Sequence, residues 1–266
     1  MSSSPVPSTL APDHLAPDPL ARLAWTAACP CQTWVDRVPW PQLVRGLQLV
    51  WRTQVSSADP LEPRHLACLV SKLRWPGQVG EDFEVTWQQF QGQPLAPYTF
   101  TFWQWFFGAV RLTRDHMVGP WRKGLVLGFV AKQEGEALLA LRPQGTFLLR
   151  FSDSILGGIS IAYSASQGVV HVAPLEDCHL RTRGLVDTIF DLYTRDQEIR
   201  TLFPATPLHA FAEFRSPQSL AAEGYVSFFR RRELATQTGN EPQTTIQYPK
   251  NITTVIVREP DEAGDK

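Results

Sequence analysis

Long apolar runs are missing from this chain. Its most apolar stretch, Phe100 to Leu112, is interrupted by Gln104 and Arg111 and is too short to span a bilayer. No membrane partner is expected. A surplus of one charge is missing too: 25 Lys and Arg against 26 Asp and Glu leave a net charge of −1. That excludes a global field drawing the chain to nucleic acid or anionic lipid. Cysteine is scarce, at 4 residues, and Cys29-Pro30-Cys31 lacks the second pair that zinc would need. Free thiols in a reducing compartment are the expectation. The 6 histidines are scattered, with no His-x-x-x-His pair and no Gly-x-Ser-x-Gly turn, so neither metal nor cofactor is expected and no catalytic constellation emerges. Met1 to Leu20 is rich in Ser and Pro and has no apolar signal-peptide core. The chain reads as soluble and intracellular.

What is present is aromatic. The chain is 43% hydrophobic, with 9 Trp and 15 Phe among 266 residues, enough for one or two packed domains rather than disorder. Residues 1–33 carry Pro5, Pro7, Pro12, Pro17, Pro19 and Pro30 and are expected to form a disordered head. From Trp34 the pattern turns helical. Leu43, Leu47, Val50 and Trp51 predict a helix over Gln42 to Gln54, and Leu66, Leu69, Val70 and Leu73 a second over Pro63 to Leu73. A third is expected over Glu84 to Gln91. The aromatic fourth, Phe102 to His116, is expected to be buried. Past Trp121, Val130, Ala137, Leu138 and Leu141 suggest a helix over Gly128 to Leu141. Strands are expected over Thr146 to Ser152, Ile159 to Ser164 and Val169 to Val172. A helix containing Leu185, Val186, Ile189, Phe190 and Tyr193 follows. Helix, three strands and helix describe an α+β fold, a sheet covered on both faces.

The segment Gly145-Thr146-Phe147-Leu148-Leu149-Arg150-Phe151-Ser152-Asp153-Ser154 places one arginine in an apolar strand. Alternation puts Phe147, Leu149 and Phe151 on one face and Leu148, Arg150 and Ser152 on the other. A charge inside a core needs a partner. Asp153 would project to the opposite face if the strand continued, so it is expected to point away or to fix the turn. A planar guanidinium beside the Ser152 and Ser154 hydroxyls suits an incoming phosphate. On the motif alone, a structural arginine with a remote carboxylate stands equally well.

The wording of this segment, with Gly157-Gly158-Ile159-Ser160-Ile161-Ala162-Tyr163-Ser164 after it, resembles the phosphate-binding strand of an SH2 domain of the STAT family (signal transducers and activators of transcription). The run Phe100-Thr101-Phe102-Trp103-Gln104-Trp105-Phe106 resembles the last helix of that family's linker domain, in its interleukin-4-responsive branch, and Val38-Pro39-Trp40-Pro41-Gln42-Leu43 resembles the linker's entry. The resemblance implies a helical linker domain over residues 34–119, an SH2 domain over 120–216 with an antiparallel sheet flanked by two helices, and a tail over 217–266. It implies phosphotyrosine binding by Arg150, Ser152 and Ser154, with Lys132, eighteen residues ahead of Arg150, as a second cation.

It also implies a role for Tyr225 in Glu223-Gly224-Tyr225-Val226. In STAT proteins a tyrosine just past the SH2 domain is phosphorylated by a receptor-associated kinase, and Val226 would fill a shallow hole on the partner. By composition alone Tyr225 is an ordinary tyrosine, and Arg230-Arg231-Arg232 a solvated basic run. The expected partners are phosphotyrosine peptides of cytokine receptors, a tyrosine kinase, and a second STAT-family chain in a homodimer or heterodimer. Cytoplasmic residence, with nuclear entry after activation, is implied as well. No coiled-coil heptads and no basic β-rich region precede the linker. The expectation is a fragment, isoform or truncated relative without direct DNA binding. The rival expectation is an SH2-fold scaffold or adaptor in which Arg150 is only structural.

Overall fold

Helix formation begins inside the proline-rich opening. Asp18 accepts the Leu20 N–H at 2.8 Å, and Pro19 occupies the first helical position, where no donor is required. Helix α1 (Pro19–Ala28) then buries Ala21, Ala24, Trp25 and Ala28. The expected disordered head over residues 1–33 is corrected over Pro19–Ala28: a proline at a helix start favours the helix it would break further along. The computed structural model describes residues 18–29, 34–56, 60–73, 83–196, 199–216 and 231–232. The rest of the proline-rich segment, like the Tyr225 segment, lies outside them.

Strand β1 (Arg37–Pro39) leads into α2 (Trp40–Val55), and α3 (Pro63–Leu73) follows. Helices α1 and α2 meet backbone to backbone at Gly46, where a Cβ would stand 2.0 Å from the Ala24 carbonyl oxygen. Strand β2 (Glu84–Thr86) pairs antiparallel with β1, Val38 opposite Val85. Residues 84–86 are thus strand, not the start of the expected helix, and a π-helical turn, Gln88–Gly92, comes after them. Helix α4 (Phe102–His116) opens with a capping box: Thr101 accepts the Gln104 N–H, and Gln104 reaches back to the Thr101 N–H at 2.8 Å. Short α5 (Val118–Arg122) carries Trp121 into the core.

The second half runs α6 (Lys132–Ala140), β3 (Thr146–Phe151), β4 (Ile159–Ala165), β5 (Gly168–Val172), α7 (Asp177–Thr182), α8 (Leu185–Asp196), β6 (Thr201–Leu202) and β7 (Thr206–Pro207). A 3-10 turn, Leu208–Phe214, precedes β8 (Arg231–Arg232). The 6-stranded sheet has the order β7-β6-β3-β4-β5-β8. Its pairings are antiparallel except β3 with β6. The fold class is α+β, as the pattern implied.

Helix α6 starts later than expected. Residues ahead of it run alongside β3 instead: Gly128 donates to the Leu149 carbonyl and accepts from the Phe151 N–H. Gly128 has φ +82°, and a Cβ there would meet the Trp121 ring at 2.8 Å. The Val130–Leu141 stripe fails accordingly, since Leu141 is 94% exposed.

The alternation of β3 holds. Phe147, Leu149 and Phe151 join the large core with Leu185 and Ile189 of α8. Leu148 turns the other way, toward Leu127, Val130, Leu139 and Ala162 beside α6. The large core does not stop between the helical part and the sheet part. Trp51 of α2 lies 5.5 Å from Phe129 and 6.3 Å from Phe151, centroid to centroid.

Candidate functional site: an anion seat at the end of strand β3

Gly135 on α6 has no side chain to obstruct Arg150, whose Cδ would lie 3.5 Å from a Cβ there. The arginine is consequently buried, 4% exposed, on the Leu148 face of β3. Its Nη1 donates to the Phe151 carbonyl at 3.1 Å and to Asp153 Oδ2 at 3.0 Å. Burial lowers the Arg150 pKa from its ordinary value, and the Asp153 charge opposes that. Nε is buried without a hydrogen-bond partner.

Asp153 corrects the expectation that it points away. The strand ends at Phe151, so the alternation no longer applies, and the turn brings the carboxylate back over the arginine. Its Oδ2 also accepts the backbone N–H of Lys132 at 3.0 Å. That N–H is at the first residue of α6, whose N-cap Ala131 makes no side-chain cap. Helix starts leave such donors unsatisfied and carry positive potential. Oδ1 meets Lys72 Nζ, from α3, at 2.6 Å.

The expected site residues are distributed unevenly around this point. Ser152 is buried, and its Oγ accepts the N–H groups of Ser154 and Ile155 at 3.3 and 3.1 Å. The hydroxyl proton is left over for a further acceptor. Ser154 is exposed at the rim. Lys132 brings its backbone N–H to Asp153, while its ammonium, 44% exposed, lies 3.7 Å from Glu136. Tyr225 and Val226 lie outside the described residues.

Sequence reasoning missed Lys72, Glu136 and His171. The last is 6% exposed and shares Glu136 with Lys132 through a 2.9 Å contact at Nε2. Its pKa is lowered, chiefly by burial and then by the positive charges of Lys132 and Arg150. No local pattern marks these three, because they reach the site from separate elements. The cleft beside Trp103 and Arg111 and the cleft beside His116 and Arg183 are not lined by Arg150.

A buried arginine ends a central strand under a helix N-terminus, with a serine turn after it, and residues 126–190 match the SH2 domain model. Residues 27–106 match the linker domain of signal transducers and activators of transcription. The chain belongs to the STAT family. It is similar to human signal transducer and activator of transcription 6, 35% identical in an alignment of 199 positions that covers 71% of this chain. The chain spans 23% of the length of that protein. Among solved structures, the inactive choanoflagellate E3 ubiquitin ligase Cbl TKB covers 70% of this chain and 50% of its own, at 17% identity and a TM-score of 0.27. That likeness is too loose to bear on fold or function.

Proposed function

We propose that the chain is a phosphotyrosine-binding signalling protein of the cytokine receptor and kinase type, not an enzyme, and that Arg150 is its phosphate ligand. The observation that carries this is the setting of the Asp153 carboxylate. One anion is held at once by a buried guanidinium, the first N–H of a helix and an ammonium, and the guanidinium keeps a buried Nε unpaired. A phosphotyrosine carries roughly −1.5 to −2 charges and three acceptor oxygens, which suits such a seat better than a single carboxylate. Ser152 would supply its remaining hydroxyl proton, Ser154 a rim contact, and Lys132 its amide and its partly exposed ammonium.

Tyr225 is the proposed phosphorylation site. Placed in the Arg150 pocket of a second chain, with Val226 in a neighbouring apolar hollow, it would give a reciprocal twofold homodimer or a heterodimer with another STAT-family chain. The side of β5 away from β4 suits capture of an extended tail. In the structure β8 takes that edge, with Val172 opposite Arg231 and His171 opposite Arg232. A phosphorylated tail arriving from a partner would add its strand at this edge in place of β8. Cytoplasmic residence with nuclear entry after phosphorylation, and a part in transcription regulation, complete the reading.

A second reading is favoured by the same ion pair. If Asp153 never leaves Arg150, the chain is an SH2-fold scaffold. Titration of phosphotyrosine peptides onto the wild type and Arg150→Lys separates the two. Losing a bidentate charged contact should weaken binding by at least about 2 kcal/mol. Equal affinity of the two proteins, or no binding by either, would leave the scaffold.

A further inference from the structure

We infer that Lys72, on α3 of the linker domain, is part of the phosphate pocket, and that the Asp153 carboxylate is an internal anion which an incoming phosphate displaces. This rests on the phosphate reading of Arg150. It adds that the pocket is built by two domains and is charge-neutralised before ligand arrives.

The geometry leads there in three steps. First, the Asp153 carboxylate bridges cations from two elements far apart in sequence, Arg150 Nη1 at 3.0 Å and Lys72 Nζ at 2.6 Å. A phosphate oxygen pair can bridge the same two groups, and a doubly charged phosphate matches two cations where one carboxylate leaves a surplus. Its third oxygen gives the orphaned Nε of Arg150 an acceptor, which the carboxylate does not.

Second, Lys72 is held in place by more than Asp153. Its ammonium lies 5.3 Å from the centroid of the Trp105 ring, within cation–π range. That indole is fixed by its own hydrogen bond to the Ser152 carbonyl at 2.8 Å. When Asp153 withdraws, the ammonium stays beside Arg150 and needs an anion.

Third, Asp153 has somewhere to go. It belongs to the turn after β3, whose neighbours Ser154 and Leu156 are exposed, Leu156 at 46%. A carboxylate leaving that turn reaches water without opening the core. Arg150 and Lys72, by contrast, sit on a strand and a helix and keep their positions.

The test uses the full chain and two small probes, phenyl phosphate and inorganic phosphate, titrated by NMR. The Lys72 Nζ and Arg150 Nε resonances of the wild type should both shift with phenyl phosphate, and on the same binding curve. Lys72→Gln should weaken that binding about tenfold, the size of one charge-assisted contact, while Asp153→Asn, which removes the competing charge, should tighten it. A stronger response to phenyl phosphate than to inorganic phosphate assigns the seat to a phosphorylated aromatic side chain. Equal responses assign it to phosphate in general. Either result supports the cross-domain pocket. If Arg150 Nε responds and Lys72 Nζ does not, or if Lys72→Gln binds like wild type, the inference fails while the phosphate reading stands. If neither resonance moves and Arg150→Lys changes nothing, the phosphate reading itself fails. The wild-type resonances decide the matter even if Lys72→Gln does not fold.

Discussion

The indole Nε1 of Trp105 donates to the backbone carbonyl of Ser152 at 2.8 Å. One hydrogen bond thereby ties the aromatic helix of the linker domain to the turn that follows Arg150. Both residues are buried, Trp105 to 2% exposure, so water cannot replace the donor.

Trp105→Phe should therefore destabilise the chain by about 1–3 kcal/mol, because it leaves the Ser152 carbonyl buried and unpaired. Denaturant unfolding measures this. A change below about 0.5 kcal/mol would show that the turn finds another donor at no cost. The same substitution should weaken phosphotyrosine peptide binding, since the ring also steadies Lys72.

Gly46→Ala tests the α1–α2 contact. A Cβ 2.0 Å from the Ala24 carbonyl oxygen cannot be accommodated without parting the two backbones. Overpacking of this kind costs about 1–3 kcal/mol. An unfolding midpoint equal to wild type would mean that α1 is not docked in solution as it is in the structure.

His65 joins α3 to the segment ahead of α6. Its Nδ1 accepts the Glu62 N–H at 3.1 Å, and its Nε2 lies 2.9 Å from the Leu127 carbonyl. The neutral ring with its proton on Nε2 satisfies both. Burial lowers its pKa from the ordinary 6.5, with the Arg64 charge acting in the same direction, while the Leu127 carbonyl and Glu62 oppose. A histidine whose folded value lies below its unfolded one contributes stability that is complete above the unfolded value. That stability is lost as the pH falls through the folded value. His171 is shifted the same way. Unfolding free energy should fall as the pH drops from about 7.5 to 5.5, and His65→Gln should flatten the slope. A profile flat across that window, or an unchanged slope in the variant, would refute the assignment.

Tyr225→Phe bears on assembly. After treatment with a tyrosine kinase, the wild type should double its mass in solution, as light scattering reads it, and the variant should remain a monomer. A phosphorylated wild type that stays monomeric would count against reciprocal exchange.

Several of these elements can be read in the sequence alone, and the reason differs in each case. Strand β3 is legible because Phe147, Leu149 and Phe151 join the large aromatic core while Leu148 and Arg150 face α6, so that two different surroundings enforce the alternation. Helix α4 is legible from Thr101 and Gln104, whose reciprocal bonds are local. Strand β2 is not, since Val85 is held by Val38 far upstream, and a three-residue strand leaves no periodicity. Helix α1 hides behind the proline that starts it. At the site, Arg150 and Ser152 stand in the motif itself. Lys72 comes from another domain, and Asp153 is turned inward by a loop geometry that alternation cannot describe.

The rings of Trp51, Phe106 and Phe129, with centroids 5.5 to 6.2 Å apart, bear on how portable the sheet-bearing half of the chain is. Many recognition modules can be cut from one protein and spliced into another because their surfaces are already closed. Here an excised C-terminal half would present the faces of Phe129 and Phe151 to solvent, an adhesive patch where Trp51 had been. A soluble form of that half must therefore carry the sheltering helices along or replace those two rings with polar side chains.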